Sequence, residues 1–261
     1  MLGNYLYIMK ETFFKKSLNR IFQELYSKEQ NLEGKVLEFG ATEGSSKNFT
    51  NFLNLNDTSQ IIYADKITNN NKKVQYEDLE KKLSFQDASI NNVVIFNVLE
   101  HVYDINNAIK EINRCLKPNG RLVGSTPFIY RVHNAPQDYN RYTPAFINEI
   151  LNQNNFSEIK IKTFGYGPLI ASYVLIFDYT KYIPLLNNIL FNICLIMDNF
   201  ISILIKTKLK KIYPITICFS AKKSQNWIMD SLLRIRTNKE LENRKDCFLE
   251  ISKILDDLNI F

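Results

Sequence analysis

Residues Val36–Gly44 read V-L-E-F-G-A-T-E-G: an apolar run, interrupted by an acid, that breaks into a turn with glycines at 40 and 44. A second run, Ile61-Ile62-Tyr63-Ala64, follows about twenty residues later and closes on Asp65. A strand delivered into a glycine turn, followed by a second strand ending in an acid, is the pattern that opens a nucleotide-binding, doubly wound α/β domain. Glycine lets backbone approach a ligand closely. A carboxylate at the end of the second strand can accept hydrogen bonds from both ribose hydroxyls.

Outward from these runs, short apolar stretches recur at 92–97, 121–126, 158–164 and 214–220, beside 35–39 and 60–64. Patterned helical stretches are expected between the first five, as at 104–116, where Ile105, Ala108, Ile109, Ile112 and Leu116 keep helical spacing. Strand–helix alternation of this kind predicts parallel βαβ units and a sheet covered on both faces. Lys117-Pro118-Asn119-Gly120 reads as a turn, with Asn-Gly expected to supply positive φ. Ahead of the first strand, Phe13, Phe14, Leu18, Ile21, Phe22 and Leu25 predict one amphipathic helix over 11–30.

Composition narrows the function. With 45% hydrophobic and 23% charged residues, the chain is that of an ordinary folded domain rather than a disordered one. A net charge of +6, with lysines scattered among acids, reads as solvated surface and not as a nucleic-acid face. Four dispersed cysteines and two histidines exclude a structural zinc site by spacing, and no metal ligand set is expected. Unpaired thiols, and an N-terminus without the pattern of a signal peptide, predict a cytoplasmic protein.

Two regions depart from the alternation. Residues 166–213 are rich in Leu, Ile, Phe and Tyr, and 189–205 is the most apolar run. It carries Asp198 within a polar stripe of Asn192, Asn199 and Ser202, and Lys206, Lys208, Lys210 and Lys211 follow it. A transmembrane span needs about 20 apolar residues, so a true span is disfavoured. Helices buried against the domain or a twin subunit are one reading. The other is a hairpin at the inner face of a membrane, with lysines at anionic headgroups. In the tail, Leu241, Phe248, Ile251, Leu255 and Leu258 predict a helix with one apolar seam.

Five blocks in order, V-L-E-F-G-A-T-E-G, I-I-Y-A-D, Y-E-D-L-E-K-K-L-S-F, N-N-V-V-I-F-N-V-L-E-H-V and E-I-N-R-C-L-K-P-N-G-R-L-V-G-S-T-P-F, resemble a class I S-adenosylmethionine-dependent methyltransferase of the small-molecule, type 11 kind. The resemblance covers residues 33–165 motif by motif and 214–222 more loosely. It implies a Rossmann-like, seven-stranded, mostly parallel sheet whose last strand, 214–220, is reversed, with the apolar helical insert 166–213 between the sixth and seventh strands. The implied division is an N-terminal helical segment at 1–32, the methyltransferase domain at 33–223 and a helical tail at 224–261.

Carried over to this chain, the resemblance makes Glu38 and Gly40 the opening of the loop on the methionine side of S-adenosylmethionine, and Gly44 its close. Thr42 stands where the family usually has a further glycine. Asp65 matches the ribose-binding acid and Asp78 the acid that contacts the adenine amino group, and Asn97, at the end of the fourth strand, completes the cofactor set. Ser84 replaces a common proline and Asn92 a common aspartate, neither at a direct cofactor contact.

Leu99-Glu100-His101-Val102 is expected over the active-site edge and, with Thr126-Pro127-Phe128, to face the cleft, while the polar and aromatic loop 131–144, R-V-H-N-A-P-Q-D-Y-N-R-Y-T-P, follows between the fifth strand and the next helix. A hydroxyl acceptor needs a base. His133, Asp138 and His101 are the candidates, His133 the better placed. Arg141 is a candidate to hold an anionic group, and Tyr139 and Tyr142 to stack on a sugar or close over the cofactor. Alternatively, Asp138 and Arg141 pair within the loop and hold its shape. The expected acceptor is a small molecule, first a hydroxyl of a cell-surface glycan or lipid-linked precursor. A nicotinamide enzyme is disfavoured by the glycine spacing and by the absence of any Tyr-x-x-x-Lys pair, and a nucleic-acid methyltransferase by N-V-L-E-H where N-P-P-Y would stand. A degenerate member acting as a binding subunit is the remaining alternative.

Overall fold

The computed structural model describes residues 2–41, 45–67, 73–134, 137–207 and 209–224. Thr42, Gly44 and the expected seam of the tail lie outside them. The main sheet has seven strands: β1 (Lys35–Phe39), β2 (Gln60–Asp65), β3 (Val74–Tyr76), β4 (Ile90–Phe96), β5 (Leu116–Pro127), β6 (Phe156–Phe164) and β7 (Thr216–Lys223). Their order is β3-β2-β1-β4-β5-β7-β6. Pairings from β3 to β5 are parallel, while β7 runs antiparallel to both β5 and β6. The sheet is therefore mostly parallel with a reversed last strand, as the sequence implies.

Side-chain alternation explains why the central strands read as unbroken apolar runs. Val36, Val94, Phe96, Val123 and Cys218 face one core with Tyr26 and Phe49. Leu37, Phe39, Val93, Ile95 and Leu122 face the other. On that second face lie α3 (Ile105–Cys115) and α4 (Pro144–Gln153), which contribute Ile109, Ile112, Ile147 and Leu151. A strand buried on both faces has no polar side to alternate with. Helix α3 begins where Asp104 accepts the Asn107 N–H at 3.0 Å, an N-cap the chain supplies locally.

Several sequence expectations are corrected. Helical stretches do not separate all of the first five runs. Among the described residues, the only helical element between β1 and β2 is a short 3-10 turn, Phe49–Phe52, and no α-helix lies between β2 and β4. Segment 45–59 is dense in Ser and Asn, whose side chains compete for the backbone groups a helix needs. The expected helix at 11–30 is two: α1 (Leu2–Phe13) and α2 (Leu18–Ser27). Lys15 adopts φ 65° between them, and Ser17 caps α2 by accepting the Arg20 N–H. Asn119 alone takes positive φ in the Asn-Gly turn, at 62°, and the segment interrupts the β4–β5 register instead of preceding β5. Strand β3 and a two-residue parallel pair, Asn31–Leu32 with Asn54–Leu55, are too short to leave a sequence pattern.

The insert forms a hairpin of α5 (Pro168–Thr180) and α6 (Pro184–Leu204), followed by α7 (Leu209–Ile212). Ile8, Leu18, Ile21 and Phe22 of the N-terminal helices pack with Ile170, Tyr173, Phe177 and Phe191 in a third core. Asn187, Asn188, Asn192 and Asp198 of α6 are turned inward and paired, whereas Asn199 is exposed. Asn188 accepts from Thr12 Oγ1 at 3.0 Å, and Asn192 from the Tyr5 hydroxyl at 2.5 Å. Asp198, 1% exposed, accepts the N–H groups of Leu169 and Ile170 at 3.1 and 2.9 Å, thereby capping α5. The opposite face of α6 is bare: Leu185, Ile189, Ile193, Ile196, Phe200 and Ile203 are all exposed. By length and composition α6 is long enough to cross a membrane, but its inner face is fully used by α1 and α5.

Candidate active site

Strand order reverses between β1 and β4, and such a switch point opens a crevice beyond the carboxyl ends of the strands. Here it is a cleft of about 220 Å³, lined among others by Phe39, Gly40, Asp65, Asp78, Asn97 and His101. Four expected cofactor residues, Gly40, Asp65, Asp78 and Asn97, thus come together in one cavity. Gly40 has φ 72°, and a Cβ there would lie 2.6 Å from Val98 Cγ2. Only glycine fits that turn without strain.

Asp65 sits at the end of β2, and its Oδ1 accepts the Ile67 N–H at 2.8 Å. Burial raises its carboxyl above the usual carboxylate range, with local N–H groups opposing the shift. Asp78 is more heavily engaged. Its Oδ1 accepts the Glu80 N–H at 3.1 Å, and Oδ2 lies 3.3 Å from Lys66 Nζ. Asn97 has φ 55°, and its side-chain amide exchanges two hydrogen bonds with Gln23, at 2.5 and 2.9 Å. Helix α2 is thereby fixed against the mouth of the cleft. Gln23 and Lys66 escaped the sequence reading: one lies on the polar side of a helix noted for its apolar side, the other just beyond the acid that ends β2.

Glu38 does not line the cleft. Its carboxylate is buried, accepting the N–H groups of Phe49 and Thr50 at 2.6 and 3.1 Å and the Thr50 hydroxyl at 2.6 Å. In this chain it holds the 3-10 turn that stands where a helix was expected.

On the acceptor side, the 3-10 turn Leu99–His101 meets the polar loop. Asp138 and Arg141 form a bidentate pair, with Arg141 also donating to the backbone carbonyls of Asn140 and Arg131. The guanidinium beside Asp138 holds its carboxyl well below the usual range, which makes it a poor base. Arg141 has its donors committed within the loop, so the shape-holding alternative describes both residues. Tyr142 is also corrected: it is buried, its hydroxyl donates to the Leu99 carbonyl at 3.3 Å, and its ring stacks on Phe146. Tyr139 remains accessible, 44% exposed and edge-on to Tyr103.

His133 and His101 come together edge to face, with ring centroids 4.9 Å apart. The His133 backbone N–H donates to Asp138 at 2.9 Å. Burial holds His101 below the ordinary histidine range. Beneath them lies Glu100, fully buried, its carboxyl pushed up to about 8 by desolvation. The Glu100 carbonyl accepts the Tyr139 N–H at 2.8 Å, which ties the loop to this turn.

Residues 40–124 match the family model described as a methyltransferase domain. Over these residues the chain resembles a methyltransferase domain. The match takes in Gly40, Asp65, Asp78, Asn97, Glu100 and His101, and stops before the loop that holds His133. Among solved structures, an S-adenosylmethionine-dependent methyltransferase from Archaeoglobus fulgidus shares 16% identity and a TM-score of 0.50 over 84% of this chain and 100% of that one. The shared fold is that of the methyltransferase domain. Haemonchus contortus phosphoethanolamine N-methyltransferase 2, in complex with S-adenosyl-L-methionine, shares 15% identity, covers 78% of this chain and 52% of that one, and gives a TM-score of 0.48. CurJ carbon methyltransferase shares 13% identity over 75% and 49%, with a TM-score of 0.46. The chain thus spans about half the length of these last two proteins. No curated protein matches the sequence.

Proposed function

We propose that this chain is an S-adenosylmethionine-dependent methyltransferase whose acceptor is a small molecule, a hydroxyl of a cell-surface glycan or of a lipid-linked precursor. The observation that carries the cofactor reading is the convergence of Gly40, Asp65, Asp78 and Asn97 on one cleft at the switch point of a fold that resembles a methyltransferase domain. These residues fit the cofactor. Gly40 leaves room for close backbone approach, Asp65 presents a half-exposed carboxylate for two ribose hydroxyls, and Asp78 stands at the adenine side. S-adenosylmethionine supplies an electrophilic methyl on a sulfonium. The chain's own residues hold the acceptor beside it, exclude water and take a proton, with His133 and His101 at the acceptor edge. Titration of the purified protein with S-adenosylmethionine and S-adenosylhomocysteine by calorimetry is expected to give micromolar binding of both. Folded protein that binds neither would leave the binding-subunit alternative standing.

The lipid-linked acceptor draws support from the insert. Arg131 of the acceptor loop pairs with Asp178 of α5 at 2.6 Å, coupling the loop to the hairpin. Within 184–204 the single charged residue is Asp198, which is buried, so the exposed face of α6 is uncharged. Lys15 and Lys181 both stand over the Tyr182 ring at the hairpin turn, and Lys206 and Lys211 follow the other end. Pairing α6 with a twin's α6 would set cations against cations at the ends in either direction. Anionic headgroups complement both ends and the apolar middle. Flotation is expected to show salt-sensitive binding to vesicles of phosphatidylcholine mixed with phosphatidylglycerol, and none to phosphatidylcholine alone. A stable dimer indifferent to both would replace the membrane with a second copy.

A further inference from the structure

We infer that Glu100, His101 and His133 form a binding site for a divalent first-row transition-metal ion at the acceptor edge of the cleft. One ligand atom from each residue lies within 4.8 Å of the other two. Both histidines of the chain are in this cluster. Glu100 is fully buried, and its Oε1 has no hydrogen-bond partner although it lies 3.9 Å from His101 Nε2. His133 Nδ1 is likewise buried and unpartnered, 3.1 Å from Asp138 Oδ2 but off the hydrogen-bond direction. Among the described residues only three buried side-chain polar atoms lack a partner, and two belong to this cluster. Buried polar atoms are ordinarily satisfied, and two orphans within one three-residue cluster mark a place where something else binds.

The surroundings are those of a ligand set rather than an aromatic stack. His101 Nδ1 faces the Gln137 carbonyl, which can only accept. The proton therefore sits on Nδ1, leaving the Nε2 lone pair free toward Glu100, the outer-sphere arrangement that orients metal-binding imidazoles. Asp138, locked by Arg141, accepts the His133 backbone N–H and so fixes that residue in place. Edge-to-face packing of Tyr130, His133 and His101 accounts for the rings but not for a buried carboxylate aimed at them.

Two imidazoles and one carboxylate suit ions from manganese to zinc better than magnesium or calcium, which favour all-oxygen shells. Three protein ligands leave positions open, as catalytic sites do. Resting on the methyltransferase reading, this assigns the acceptor as an oxygen ligand: with a metal bound, His101 and His133 would serve as ligands in place of a base, and a coordinated hydroxyl would give up its proton to solvent more readily. His101 also lines the cofactor cleft, which brings the two sites edge to edge.

The test uses tag-free, full-length protein, in which only two imidazoles exist to be observed. In nitrogen-15 NMR of the rings, one equivalent of Zn²⁺ is expected to shift both together and Mn²⁺ to broaden both, whereas Mg²⁺ leaves them unmoved. Glu100→Gln should weaken Zn²⁺ binding by roughly tenfold or more. His101→Asn serves the same purpose should that variant misfold, and Cys194→Ser should change nothing. Imidazoles that ignore Zn²⁺, or Zn²⁺ binding undiminished in Glu100→Gln, would overturn the site. S-adenosylhomocysteine binding, measured on the same samples without metal, reads the methyltransferase assignment separately.

Discussion

Replacing Asp65 with alanine is expected to weaken S-adenosylhomocysteine binding by about a hundredfold or more, while the melting temperature moves by only a few degrees. The loss follows from the chemistry the residue is placed to perform. A hydrogen bond to a charged group contributes about 1.5–3 kcal/mol, and the carboxylate can accept two. About 3 kcal/mol corresponds to roughly two decades in affinity. Stability should be spared because Asp65 is only half-buried and its main intramolecular partners are neighbouring N–H groups. Burial even disfavours its charged form, so the free protein gains little from keeping it. Calorimetry beside thermal melting decides the matter: an alanine variant with unchanged affinity would mean that Asp65 is not the ribose partner.

The position of Asp65 at the strand end and on the cleft was legible because its signal is local. The run Ile61–Ala64 and the acid that closes it lie within one sequence window, as do the strand and glycine turn of Val36–Gly44. The same holds for the sheet, whose buried strands are apolar on both faces, and for α3 with its Asp104 cap. Failure came where long-range partners decide a role. Glu38 has the position of a cofactor residue, yet its oxygens are taken by Phe49 and Thr50, which only the folded chain brings near. Tyr142 lies in a loop of polar residues, but the helix it precedes carries it into the core. Glu100 and His133 are far apart in sequence and meet only because the loop doubles back over the turn at 99–101. The polar stripe on α6 was visible, but not that Asp198 would cap α5.

Asp138 is the residue for which a catalytic and a structural role predict opposite results. Its side chain is 2% exposed and held by both nitrogens of an Arg141 guanidinium that is 23% exposed. Removing one partner of a buried pair costs about 3–5 kcal/mol. Because Arg141 can reach water, the lower end applies, and Asp138→Asn should lower the melting temperature by about 6–12 °C at pH 7. The pH dependence carries a definite sign. Arg141 depresses the folded-state carboxyl below its unfolded value, so the pair's contribution is complete above about pH 4 and is lost as pH falls through the folded value. The difference between the native chain and Asp138→Asn should therefore be widest near neutrality and close in strong acid. S-adenosylhomocysteine affinity should hold, since Asp138 does not line the cleft. A base would behave otherwise: asparagine would abolish turnover and leave the melting curve where it was. Scanning calorimetry from neutral to acid pH, with cofactor affinity measured on the same variant, separates a loop held in shape from a carboxylate that takes the proton, and the bidentate geometry predicts the first.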